Sequence, residues 1–396
     1  MTDAKLSRRI AALLPSSTAA AGRKAKALAA SGVDVVDLSI GEPDFPTPEF
    51  VGRAGARAIE TGKTKYTDVA GEAALRDAIA AKYVREQGAG VSRENVIVTA
   101  GAKQAVFNVC QAVFDEGDPV ALFSPYWVSF PEMVRLTGAV PAFVPTEIGK
   151  GWPPTAAALE RHAPREARGV ILNSPNNPTG AVTTAEELYR IVDWCAKRAA
   201  WLVYDETYDR FLYDGRRHAS AAALRSSYDR IAVTGAASKT WAMTGWRLGW
   251  VVGPAPLVSA IGSYQSHTTS NASSISQAAA LEALTDLEST AAAVARMLGR
   301  YAERRRLMVD GLSAIEGVRC PTPEGAFYAF ADVAALYRRK GVGGSAEFCD
   351  RLLGEAHVAA VPGDAFGDDT CVRFSFATDE ARILEGVRRI AAWAPA

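Results

Sequence analysis

Residues 230–253 read RIAVTGAASKTWAMTGWRLGWVVG. An apolar run from Arg230 gives way to small residues, a lone Lys239 and, eight positions later, a lone Arg247 before a second apolar run. Both runs have the character of buried strands. A Lys and an Arg between such strands are costly to bury unless each meets a partner. The pattern implies an anionic or electrophilic partner that is not itself part of the sequence.

Upstream, the same rhythm recurs. NVIVTAG (95–101) leads into AKQAVFNVCQAVF, DPVALFSPYW (118–127) into VSFPEMVRLTG, and ARGVILNSPNNPTG (167–180) into TAEELYRIVDWCAKR; AWLVYDETY (200–208) follows at once. Strand–helix alternation predicts an α/β fold whose parallel sheet is covered on both faces. Ligands of such sheets sit beyond the carboxyl ends of the strands. That rim comprises Gly101 to Lys103, Ser124 to Trp127, Asn173 to Gly180, Asp205 to Tyr208 and Ser238 to Arg247. Lys239 falls on it.

After about residue 275 the pattern changes to a long, Ala-rich amphipathic helical region with a break near Thr285–Ser289. GAFYAFADV, HVAAVPGDAFG and CVRFSFA then read as strands of a smaller α+β unit. The expected division is a large domain over 48–300 and a small one from 301–396 together with the N-terminal segment 1–47.

A chain of 396 residues suits two domains. Acidic and basic residues balance at 44 each, which gives no electrostatic case for nucleic acid or an anionic membrane as partner. The N-terminal apolar run is too short for a secretion signal and breaks at Pro15, and no stretch approaches a membrane span. The five Cys are scattered without a CxxC pair, and the four His are equally dispersed, so neither disulfides nor a metal site is expected. These features fit a cytoplasmic globular protein.

The rim collects a Lys, an Arg, a carboxylate, a Tyr, an Asn and an aromatic. The turn TAGAKQ (99–104) precedes an apolar helix, so its free N–H groups and the helix dipole favour a phosphate. Arg247 can add a bidentate contact to that phosphate. A ligand with a phosphate, an aldehyde for Lys239 and a ring nitrogen for Asp205 fits these parts, and pyridoxal 5′-phosphate has all three.

Ten blocks then carry a family resemblance: LSIGEPDFPTP, GKTKYTDVAG, AGAKQAVFN, SPYWVSFPEMV, NSPNNPTGAV, YDETYDRFLY, SKTWAMTGWRLG, QSHTTSNASSISQ, PEGAFYAF and VRFSFAT, in that order. The chain resembles the fold-type I, class I aminotransferases, and within them the aspartate aminotransferases of the bacterial branch. The resemblance implies a large domain with a mostly parallel seven-stranded sheet flanked by helices, plus the smaller α+β domain. It implies that Lys239 forms a Schiff base with the cofactor and that Asp205 pairs with the pyridine nitrogen. Tyr208 and Asn177 are similar to the family's donors to the ring phenolate oxygen, and Trp127 to the aromatic that stacks on the ring. Arg247, the Gly101 and Ala102 amides and Ser238 match the phosphate site. The family often has a Ser three residues before the Lys, where this chain has Ala236. Tyr66 resembles the Tyr that reaches the neighbouring subunit's phosphate, which implies a homodimer with shared active sites.

For the substrate, Arg373 matches the Arg that forks onto the α-carboxylate, assisted by Asn177 and the Gly41 backbone. Lys103 is the residue expected at the distal carboxylate, with Thr18 and a partner's Ser270 assisting. The implied reaction is ping-pong transamination of L-aspartate with 2-oxoglutarate, giving oxaloacetate and L-glutamate. Rival readings are a class I aminotransferase of other specificity (prephenate, aromatic or other amino acids), a β-lyase or synthase sharing the cofactor cradle, and a regulator on the same scaffold. Some prephenate-accepting relatives carry a basic residue before the PSxT segment; here Leu14 precedes Pro15, which favours aspartate. No basic reading helix precedes the matched core, which disfavours the regulator.

Overall fold

The computed structural model describes residues 7–11, 13 and 17–395. Leu14 and Pro15, on which the prephenate comparison turns, lie outside the described residues.

A two-residue β1 (Val36–Asp37) precedes the seven strands of the central sheet. These are β2 (Val96–Thr99), β3 (Pro119–Ser124), β4 (Val140–Pro145), β5 (Gly169–Asn173), β6 (Trp201–Asp205), β7 (Ile231–Ala236) and β8 (Gly249–Val252). Their order is β2-β8-β7-β6-β5-β3-β4, and only β8 runs antiparallel to its neighbours. Every residue of β2, β5, β7 and β8 is buried, as a sheet covered by helices on both faces requires. The mostly parallel seven-stranded sheet is therefore present.

One strand of the central sheet escaped the sequence reading. β4 carries Pro141 and Pro145 and is half exposed, which suits the sheet edge where a missing N–H costs no ladder bond. The covering helices follow from their stripes and caps. Helix Ala102–Val113 buries Ala105, Val106, Val109 and Cys110 on one face. Helix Ala185–Arg198 is capped by Thr184, whose hydroxyl accepts from Glu187 N, has Glu186 and Glu187 in its first turn and ends at left-handed Ala199. The expected helix break is real: helices Ser274–Thr285 and Leu287–Ser313 meet at Asp286, whose carboxylate accepts from Ser289 N at 3.0 Å.

The C-terminal strands are β9 (Tyr328–Asp332), β10 (Val358–Ala359), β11 (Val361–Pro362) and β12 (Cys371–Ser375). β12 lies between β11 and β9 in an antiparallel sheet, while β10 pairs in parallel with β1. Around them a second apolar core forms from Tyr301, Phe327, Leu352, Phe374 and others, and the segment Tyr208 to Tyr213 reaches into it from the end of β6. Segments 36–42 and 208–213 thus join the two sheets at the site described below.

A buried ion network pins that junction. Lys82, on helix Ala73–Gln87, meets Asp209 at 2.7 Å and Glu86 at 3.3 Å, and Arg210 meets Glu86 at 2.5 Å. Burial alone would raise the Asp209 carboxyl, but Lys82 and Arg210 outweigh it and hold it at about 2. Its folded value is depressed, so its contribution to stability is present above the ordinary carboxylate range and is lost as pH falls towards 2. Replacing Lys82 with Met leaves these carboxylates buried beside a missing cation. Urea titration should show a loss of about 3–5 kcal/mol; an unchanged midpoint would mean the network does not hold the junction.

Candidate active site

The carboxyl ends of β2, β5, β6 and β7 lie along one rim, because these strands share a direction. β8 runs the other way, so its first residue, Gly249, begins on that same rim and places Arg247 there. The rim thus presents Gly101, Asn173, Asp205, the short helix Ala237–Thr240 with Ser238 and Lys239, and Arg247. Facing it across a cleft of about 640 Å³ are Arg373 of β12, Tyr328 of β9 and the segment 39–42 after β1.

Of the residues singled out in the sequence, the cleft gathers Lys239, Asp205, Tyr208, Asn177, Ser238, Arg247 and Ala102, together with Lys103, Trp127, Gly41, Thr18 and Arg373. Gly101 stands just behind, at the N-cap of helix Ala102–Val113. Tyr66 and Ser270 are not brought to the cleft of this chain. Tyr66 is 91% exposed, and Ser270 is half-buried with φ +58°. Their segments are nonetheless tied together, because Gln277 Nε2 donates to both Thr67 Oγ1 (3.0 Å) and Ala272 O (2.9 Å). Thr67 and Ala272, next to the segments for which a partner subunit is expected, thus share one buried amide.

Lys239 Nζ donates to Gly41 O at 2.8 Å. Burial is the largest influence and lowers its pKa to about 8; Arg373 and Arg247 push the same way, against Glu42 and Asp205. Near neutral pH the side chain therefore keeps an appreciable uncharged fraction. Asp205 is 4% exposed, and burial raises it to about 6, opposed by hydrogen bonds from Thr207 N (3.0 Å) and Oγ1 (2.6 Å). Such a carboxylate gains most from a cation placed against it.

Arg373 is 2% exposed and has no carboxylate partner among the described residues. Nη1 donates to Asn177 Oδ1 (3.0 Å) and Nη2 to Ser39 O (2.8 Å); its Nε is buried without a partner. The Tyr328 ring lies 4.4 Å from the guanidinium carbon. A string of hydrogen bonds links this cation to Asp205: Asn177 N donates to Asn173 Oδ1 (2.8 Å), and Asn173 Nδ2 donates to Asp205 O (3.0 Å). Tyr208 and Tyr328 share a hydroxyl contact at 2.9 Å. Burial raises Tyr208 well above the usual phenol range, so it remains a donor.

At the other end of the cleft, helix Ala102–Val113 begins without a side-chain cap, which leaves its first N–H groups open to an anion. Gly101 has φ +90°, and a Cβ there would lie 2.8 Å from Arg247 Nη2. Gly249 must also be small, since a Cβ would sit 2.6 Å from Ala102 N. Arg247, on a left-handed backbone at φ +52°, donates from Nη1 to Thr244 O at 2.9 Å. Ala236 ends β7 and offers no hydroxyl. Lys103 Nζ rests 5.0 Å from the Trp127 ring centroid, and desolvation, then Arg247, lowers its pKa.

Three neighbours went unremarked in the sequence as site residues, Ser39, Glu42 and Tyr328, and two on the expected rim, Asn173 and Thr207, had no role assigned. Each lies inside one of the quoted blocks. Block membership was the available signal for Ser39, Glu42 and Tyr328, whose contacts arise only when the second sheet docks on the rim.

The family model described as aminotransferase class I and II matches residues 33–390. The chain is similar to the probable aspartate/prephenate aminotransferase of Aquifex aeolicus, at 41% identity over 386 residues and 97% of each chain. It is also similar to the aspartate aminotransferase of Streptomyces avermitilis, at 40% identity over 396 residues, covering 98% of this chain and 96% of that one. Among solved structures it is similar to the Thermus thermophilus aspartate aminotransferase with maleate: TM-score 0.93, 41% identity, 98% of this chain and 99% of that one.

The amine chemistry can be read directly. Cofactor-free protein treated with a small aldehyde and a mild hydride reagent, then mapped by mass spectrometry, should modify Lys239 with a midpoint near pH 8. A midpoint near the ordinary lysine value of about 10.4 would remove the argument for its reactivity.

Proposed function

The chain belongs to the class I and II aminotransferase family, and from that premise we propose that it uses pyridoxal 5′-phosphate to transfer the amino group of L-aspartate to 2-oxoglutarate, releasing oxaloacetate and L-glutamate. One observation carries the reading: a single cleft joins a lysine depressed to about 8 to a buried arginine with no carboxylate partner among the described residues. The names of the relatives support aspartate as donor, and maleate in the Thermus structure is itself a dicarboxylate.

The residues fit the cofactor. The uncapped helix start at Gly101 and Ala102, with Ser238 and Arg247, is suited to its phosphate. Buried Asp205 is suited to holding a proton on the ring nitrogen. Trp127 would pack against the ring, while Tyr208 O–H and Asn177 Nδ2–H would serve as donors to its phenolate oxygen. When bound, the cofactor supplies a conjugated electron sink for the substrate carbon.

Lys239 Nζ, which burial keeps partly uncharged near neutral pH, takes the Cα proton of the substrate as general base. The α-carboxylate occupies the fork of Arg373, steadied by Asn177 and the Gly41 backbone, and this fixes Cα towards Lys239. Lys103 receives the distal carboxylate, with Thr18 and the partner's Ser270. The reading includes a homodimer, in which the partner's Tyr66 completes the phosphate site. Support comes from Tyr66, an aromatic side chain 91% exposed and away from the cleft of its own chain. It also includes the domain division 48–300 against 1–47 with 301–396, supported by a separate apolar cluster built mostly from residues after 300, and a cytoplasmic location. No helix among the described residues is long and apolar enough to cross a membrane.

Single amino acids added to the purified holoenzyme test the assignment. L-Aspartate and L-glutamate should discharge the visible absorbance of the bound cofactor, and aromatic amino acids should do so far more slowly. Arg373→Ala should cut kcat/KM for aspartate by about 10²–10³, because it removes a buried, hydrogen-bonded charge partner worth about 2–5 kcal/mol. Aromatics outpacing aspartate would overturn the substrate; an unaffected Arg373→Ala would overturn the carboxylate site.

A further inference from the structure

The fourth wall of the cleft is the helix Ser17–Ala30. Thr18, Ala19, Gly22, Arg23 and Lys26 all line the cleft, and their spacing is that of one helix face. The other face is turned to the C-terminal unit. There Ala20, Ala21 and Lys24 border a smaller gap with Cys349 and Leu353, and Lys24 Nζ pairs with Asp350 at 2.6 Å. The helix is thus fixed from behind, with two cations directed to the cleft. Arg23 and Lys26 are exposed, and no carboxylate of the described residues pairs with either. The one carboxylate of the cleft outside those already discussed, Asp37, is occupied by Ser39 N (2.9 Å) and Oγ (2.6 Å). The mouth of the cleft therefore carries more positive charge than the reaction groups require.

We infer that Arg23 and Lys26 form a cationic rim that selects substrates by their second carboxylate, favouring dicarboxylic amino and oxo acids over monocarboxylic ones. This rests on the aminotransferase reading and adds two specificity-determining residues to it. Solvated rim charges act chiefly on capture, through loose, salt-sensitive contact with the distal carboxylate that a monocarboxylic acid lacks. They leave the arrangement around Lys239 alone, so the effect belongs in KM and not in kcat.

The test uses the holoenzyme and an Arg23→Gln/Lys26→Gln double variant; both positions are exposed, and folding should survive. The KM for aspartate and for 2-oxoglutarate should rise about five- to tenfold with kcat unchanged, while the KM for L-alanine stays constant. Maleate, a dicarboxylate that cannot be transaminated, should bind about five- to tenfold more weakly by calorimetry, and propionate equally well. The penalty should shrink as salt is raised from about 0.01 to about 0.3 M. Lys24→Gln removes one charge from the opposite face and should leave these constants unchanged. Unchanged maleate affinity in the double variant, an equal loss for propionate, or the same loss in Lys24→Gln would overturn the proposal. Maleate binding does not depend on turnover, so its outcome is separable from failure of aspartate to discharge the cofactor, which would strike the function itself.

Discussion

A guanidinium held away from water with one nitrogen unpaired is the constraint on which the rest of this site depends. Arg373 stands in β12 among buried residues, braced by Asn177, Ser39 and the Tyr328 ring. An isolated buried cation is expensive, and the surrounding acceptors are all neutral. The arrangement is worth its cost only if an anion arrives, and the amine of Lys239 stands in the same cleft to meet whatever that anion is attached to. The same reasoning applies to Asp205 with the sign reversed: a carboxylate held up to about 6 by burial is a place for a cation.

These opposite deficits are not independent. Asn173 and Asn177 connect the Asp205 carbonyl to the Arg373 guanidinium through three hydrogen bonds, so the two charged anchors are set relative to one another across the junction of two sheets. Lys239 is fixed to the same junction through Gly41 O. Beneath it, Lys82 and Asp209 tie the residues just after Tyr208 to the helix that covers the sheet. Electrostatic preorganisation of this kind lowers the reorganisation needed when charge develops in the reaction.

Much of this was legible in the sequence, for identifiable reasons. Strand–helix alternation located the rim, and the rim located Lys239, Asp205 and Arg247, because an α/β sheet exposes its strand ends on one side. Arg373 stood out through its family block as much as through its apolar strand. β4 was not legible: prolines at 141 and 145 erase the strand signature, and only the sheet edge tolerates them. Nor were Tyr328, Ser39 and Glu42, whose roles exist only once β9 and the 39–42 segment face the rim. The Lys82–Asp209 pair spans 127 positions, and no local pattern announces it. Tyr66, at 91% exposed, shows the complementary case, where the sequence resemblance points to a neighbour beyond a single chain.

The central claim is that the Lys239 amine carries the cofactor's aldehyde carbon. Borohydride reduction of the holoenzyme followed by peptide mapping tests it most directly. One reduced pyridoxyl adduct is expected, on the peptide containing Lys239, and none on Lys103. An adduct confined to another lysine, or a holoenzyme that yields none, would contradict it.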